Sequence, residues 1–97
     1  MAEIIYVHYE QLGHDPDNPR RFYPKDDLAK MGHTIEANGG VDQALLVLPN
    51  GFLPDGRPGY LVVDGNFRLA ATKLLEDRAP LLKCEVLRNL NRKQKLL

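Results

Sequence analysis

Tyr60-Leu61-Val62-Val63-Asp64-Gly65-Asn66-Phe67-Arg68-Leu69-Ala70-Ala71 changes its hydrophobic period in the middle. Four consecutive apolar residues give way at Asp64-Gly65 to Phe67, Ala70, Ala71, Leu74 and Leu75, which cluster toward one side of a helix over Asn66 to Glu76. A strand therefore runs into a helix through a three-residue turn. The first amide hydrogens of such a helix lack intrahelical partners, and its dipole places partial positive charge there. That end suits an anion. Gly65 lets a ligand approach the backbone, and Arg68 lies in the first turn, where its guanidinium can hold a phosphate. A plainer reading uses the same residues: Asp64 or Asn66 caps the helix, Gly65 makes the turn, and Arg68 pairs with a carboxylate.

Working outward, Ala44 to Leu48 is a second short apolar run, separated from Tyr60 by a Pro- and Gly-rich stretch that predicts an exposed connection. Upstream, Leu28, Met31 and Ile35 sit at i, i+3 and i+7, one stripe of a helix beginning near Asp26. Asn38-Gly39-Gly40 ends it, because these residues tolerate a left-handed cap, and Gly32 weakens its middle. Glu3 to Glu10 is rich in β-branched and aromatic residues and predicts a strand; Gly13 to Pro24, with three prolines, predicts a loop. Leu81 to Leu87 alternates, with Leu82, Cys84 and Val86 on one side and Lys83 and Glu85 on the other, as in a half-buried strand. Arg88 to Leu97 starts a further helical pattern. The order β, α, β, β, α, β plus a terminal helix predicts an α+β domain with a small mixed sheet and packed helices. Residues 1–97 are expected to be one domain, a fragment of a longer protein.

The 97 residues hold 13 basic and 13 acidic side chains, with 43% hydrophobic and 27% charged content, ordinary for a globular domain. No apolar run reaches the roughly 20 residues of a membrane helix, and the N-terminus lacks a signal-peptide pattern, so a cytoplasmic location is the default expectation. The single cysteine, Cys84, can form no internal disulfide, and His8, His14 and His33 have no metal-ligand spacing. The neutral total hides a split. Residues 1–64 carry 5 basic and 10 acidic groups, whereas residues 65–97 carry 8 basic and 3 acidic. Neutrality argues against coating nucleic acid by charge, but leaves room for a local phosphate site.

Two other segments are candidates to converge on the helix end. Asn18-Pro19-Arg20-Arg21 offers two adjacent guanidinium groups, and Gly39-Gly40-Val41-Asp42-Gln43 precedes the second strand, where Gln43 can read a base or ribose edge.

Together, the Asn-Pro-Arg segment, the run from Ile35 to Val47, the run from Tyr60 to Leu75 and Leu82 to Val86 resemble, in order, the ParB N-terminal domain of the ParB/sulfiredoxin superfamily. Asp64 to Ala71 is similar to the Gly-x-x-Arg-x-x-Ala box of that family. The family includes partition proteins that bind and hydrolyse CTP, ParB-like nucleases, sulfiredoxins and kinases of free serine. The resemblance implies that Gly65 and Arg68, with Asn66 beside them, meet nucleotide or nucleic-acid phosphate. It implies the same role for Arg20, Gly40 and Gln43, beside which Arg21 is a candidate from its own charge, and a nucleotide (CTP or ATP) with Mg2+ as the cofactor. Asp64 is the candidate catalytic residue and the best-placed carboxylate for magnesium, with Asp15 or Asp17 as outside candidates for the metal and its ligands otherwise undefined. Nucleotide and DNA are the expected partners, in a partition, regulatory or nuclease protein, with homodimerisation through regions outside this stretch. A nuclease or phosphotransferase, and a non-catalytic interaction module, are the alternatives. Partition proteins commonly read Gly-Glu-Arg-Arg where this chain has Gly65, Asn66, Phe67 and Arg68. Sulfiredoxins carry their cysteine within the box, whereas Cys84 lies well beyond it.

Overall fold

A computed structural model describes residues 3–14 and 23–88. β1 (Glu3–Val7) is followed by a 3-10 turn (Tyr9–Gln11), β2 (Leu12–His14), α1 (Lys25–Asn38), β3 (Leu45–Phe52), β4 (Pro58–Asp64), α2 (Asn66–Lys73), a second 3-10 turn (Glu76–Arg78) and β5 (Leu82–Val86). The five strands form one mixed sheet in the order β1-β5-β3-β4-β2. The β1/β5 and β3/β4 pairs are antiparallel; the β3/β5 and β2/β4 pairs are parallel. The α+β class read from the sequence is the class of the structure.

Strand alternation decides where the core sits. Leu45, Val47, Val62, Leu82, Cys84 and Val86 are buried on one side of the sheet, and Leu69 of α2 joins their cluster. A second cluster, Ile35, Ala71 and Leu75, forms where α1 meets α2, with Leu28 and Met31 packed against it. Gly32 belongs to that contact. A Cβ there would lie 3.2 Å from the Ala71 carbonyl oxygen, so the residue that lowers helix propensity is the one that lets the two helices come close.

The structure corrects the sequence reading at four places. The first strand stops at Val7 instead of Glu10. His8 Nδ1 accepts the Glu10 N–H at 3.1 Å and Gln11 Oε1 accepts the His8 N–H at 3.1 Å, a reciprocal cap that stabilises a turn where β propensity predicts a strand. Gly13 and His14, at the head of the predicted loop, instead form with Leu12 a short edge strand parallel to β4, too short for periodicity to show. β3 continues through Pro49 to Phe52 and leaves a tighter hairpin than predicted, closed by Leu53 N–H donating to Arg57 O at 2.8 Å. Its last four residues are exposed, so no hydrophobic pattern marks them. α2 ends at Lys73, and Leu74, assigned to its apolar side, is 54% exposed.

β5 follows its predicted alternation, with Leu82, Cys84 and Val86 buried. Burial pushes the Cys84 thiol up to about 11, away from its ordinary range near 9. Cys84 is therefore expected to resist Ellman's reagent at pH 8 in the folded protein and to react at once in guanidinium; fast reaction of the native chain would contradict this packing. Because the folded thiol titrates higher than the unfolded one, its stabilising contribution is present below about pH 9 and is lost as pH rises toward 11. No described helix is long and apolar enough to cross a membrane. The terminal helical pattern from Asn89 onward lies outside the described residues.

Candidate functional site

β4 delivers Asp64 to the surface, and the chain turns through Gly65 into α2. Gly65 has φ 107° and ψ 16°, a left-handed conformation that side chains oppose. A Cβ on it would lie 2.7 Å from Leu45 Cγ, so packing also requires glycine here. Among the described residues no side-chain hydrogen bond caps α2, and neither Asp64 nor Asn66 fills the capping role of the plainer reading.

Asn66 is 4% exposed. Its Nδ2 donates to the Val62 carbonyl at 3.1 Å, tying the first turn of α2 back to β4. Its Oδ1 is the one buried side-chain polar atom among the described residues with no hydrogen-bond partner. A buried orphan acceptor is costly, and in native proteins it marks a strained or functional position.

Among the described residues, Arg68 pairs with a carbonyl and not with a carboxylate. Its Nη1 donates to the Gln43 carbonyl oxygen at 2.9 Å across 25 residues of sequence. This bond fastens the loop after α1 to the start of α2. The loop reaches that place through Gly39, the left-handed C-cap of α1 at φ 70°, and through Gly40 N–H, which donates to Ile35 O at 3.0 Å.

Two clefts open on either side of Arg68. One, of about 330 Å³, is lined by Gly40, Asp42, Gln43 and Arg68 together with Met31 and Thr34 of α1. The other, of about 320 Å³, is lined by Asp64, Gly65, Asn66, Phe67 and Arg68 with Tyr23. Met31 lines both. The structure thus brings Asp64, Gly65, Asn66, Arg68, Gly40 and Gln43 together around one guanidinium, while Arg20 and Arg21 lie outside the described residues. Sequence reasoning missed Met31 and Thr34, because Met31 reads as part of an apolar core stripe and Thr34 carries no signal. No three His, Cys, Asp or Glu residues group as metal ligands among the described residues.

The chain is thus an α+β domain in which a strand-to-helix turn, an arginine in the first helical turn and a glycine-led loop folded against it come together. Neither a protein-family model nor a curated protein sequence matches the chain. Solved structures do. The chromosome-partitioning protein ParB of Caulobacter crescentus, C-terminally truncated and complexed with CTP-γ-S, matches 97% of this chain at 26% identity and a TM-score of 0.71. The same protein complexed to the centromeric parS site matches 95% at 27% identity and a TM-score of 0.63. The chain spans 48% and 42% of those two chains, about half their length or less. It is a ParB N-terminal-like domain.

Proposed function

We propose that this domain binds the phosphates of a nucleoside triphosphate at the start of α2, within a larger DNA-associated protein of partition or regulatory type. The observation that carries the reading is the uncapped helix end at Gly65 with Arg68 held beside it by Gln43. Backbone N–H groups and a guanidinium together form an anion site, although the side of Gly65 that lacks a side chain faces buried Leu45 and not the cleft. The matched ParB structures, one with CTP-γ-S and one with parS DNA, support the ligand class and the setting. In this reading Gly65, Asn66 and Arg68 line the phosphate cleft, Gly40 and Gln43 line its neighbour, and Arg20 and Arg21 add charge from the preceding segment. Magnesium on a nucleotide is held largely by phosphate oxygens with one or two carboxylates, and exposed Asp64 fits that supporting place. Bound there, the metal would neutralise phosphate charge.

The test is a thermal-shift titration with CTP, ATP, GTP and ADP at millimolar concentration with magnesium. A nucleotide present at 100 times its dissociation constant stabilises by about 2.7 kcal/mol. Arg68→Ala is expected to abolish that shift while leaving the unliganded chain folded by circular dichroism. No shift with any nucleotide would sink the reading.

A second reading rests on Asp64, an exposed acid lining the same cleft as Arg68: turnover of the bound nucleotide, by hydrolysis or phosphotransfer. Phosphate release that Asp64→Asn removes would support it; release unchanged by that substitution would point to a contaminant.

A further inference from the structure

Phe67 stands next to Arg68 in the first turn of α2, and the phosphate site does not use it. Its half-buried ring meets Tyr23 edge-on, with 5.2 Å between centroids and 60° between planes, which holds it in place. Phe67 lines the cleft at Gly65 and also a wider groove of about 540 Å³ formed with Asp27, Lys30, Met31 and Thr34 of α1. The two spaces therefore adjoin, with Phe67 and Met31 lining both. One end offers helix amides and a guanidinium; the other offers an aromatic ring and a thioether flanked by a carboxylate, an ammonium and a hydroxyl.

That sequence of surfaces matches a nucleoside phosphate read from its phosphates to its base. We propose that Phe67 is the platform for the nucleobase, so that the site selects a base-bearing phosphate over a bare polyphosphate. The inference rests on the phosphate reading above. Stacking on an aromatic face is favourable for every base, and the polar side chains of α1 are of the kinds that pair with base edges. Asn66 provides an independent pointer. Its orphan Oδ1 needs a hydrogen-bond donor, and Asn66 lines the cleft at Gly65. An ionised polyphosphate offers only acceptors, whereas a nucleoside brings hydroxyl and amine hydrogens.

The experiment compares CTP and ATP with inorganic tripolyphosphate, each with magnesium, by calorimetric titration of the wild type, Phe67→Leu and Phe67→Tyr. Leucine keeps an apolar side chain of moderate size without the ring, which guards against loss of fold. Wild type is expected to bind at least one of the nucleotides at least tenfold more tightly than tripolyphosphate. Phe67→Leu should weaken that nucleotide about tenfold and leave tripolyphosphate within twofold, and Phe67→Tyr should restore the nucleotide. Equal affinity of the wild type for nucleotide and tripolyphosphate would overturn the inference while leaving the phosphate site standing. So would a Phe67→Leu protein weakened equally toward both. Binding by none of the three probes would overturn the phosphate site itself, and the base platform with it.

Discussion

Gly65→Ala is expected to destabilise the domain by about 3 kcal/mol, lowering the melting temperature by more than about 10 °C. Two costs add. A β-carbon at φ 107° opposes the backbone conformation, at about 1–3 kcal/mol. The same atom would stand 2.7 Å from Cγ of Leu45, which is fully buried and cannot swing aside, and overpacking of that kind costs about 1–3 kcal/mol more. For a chain of this size each kcal/mol moves the melting temperature by about 4–8 °C. Chemical denaturation of Gly65→Ala, Leu45→Ala and the double variant separates the two costs. The steric part should vanish in the Leu45→Ala background, so the double variant should be more stable than the sum of the singles by about 1–2 kcal/mol. A Gly65→Ala protein within 0.5 kcal/mol of wild type, a threshold about the size of an ordinary surface substitution, would mean that the turn is not built as described.

Leu69→Ala is the second large effect. Leu69 is fully buried and is the residue by which α2 enters the core of the sheet, so truncation should cost about 3 kcal/mol, within the 2–5 kcal/mol usual for such sites. The neighbouring substitution should behave in the opposite way. On the proposed function, Leu69→Ala is expected to lower stability but keep any stabilisation by nucleotide, because Leu69 lines neither cleft, whereas Arg68→Ala is expected to keep the fold but lose the nucleotide response. Denaturant melts with and without ligand distinguish the two. If Leu69→Ala lost less than 1 kcal/mol, well below the usual cost of such a truncation, the docking of α2 on the sheet would be wrong.

Which parts of this molecule the sequence revealed follows from how far each signal reaches along the chain. β4, the start of α2, β5 and the end of α1 carry their own periodicity or their own glycine punctuation, and the structure has them where the residues place them. β2 and the outer half of β3 carry none. They are strands because their backbones pair with β4, through Leu12↔Tyr60 and Phe52↔Pro58, and pairing leaves no mark on a short, partly exposed segment. The 3-10 turn at Tyr9 shows the reverse failure, where aromatic content suggested a strand and a two-residue hydrogen-bonded cap prevailed.

The site divides similarly. Gly65 and Arg68 were legible because a strand-to-helix switch with a glycine and an early arginine is a local pattern. That Gln43 contributes its backbone oxygen, and that Asn66 turns its amide toward β4, could not be read from side-chain identity. The α1 wall of the clefts was hidden for another reason. Met31 serves the core contact with α2 and faces the clefts as well, and a single apolar letter does not distinguish the two roles.

If the proposed anion site is right, the bond between Arg68 and the Gln43 carbonyl has a bearing on how tightly it would hold a ligand. A free arginine side chain samples many rotamers, and restricting it on binding costs about 0.5–1.5 kcal/mol of association free energy. Here that restriction accompanies folding, when the loop from Gly40 to Gln43 settles against α2. An arriving anion meets a cation already fixed in direction, so its attraction is offset by less ordering of the receptor.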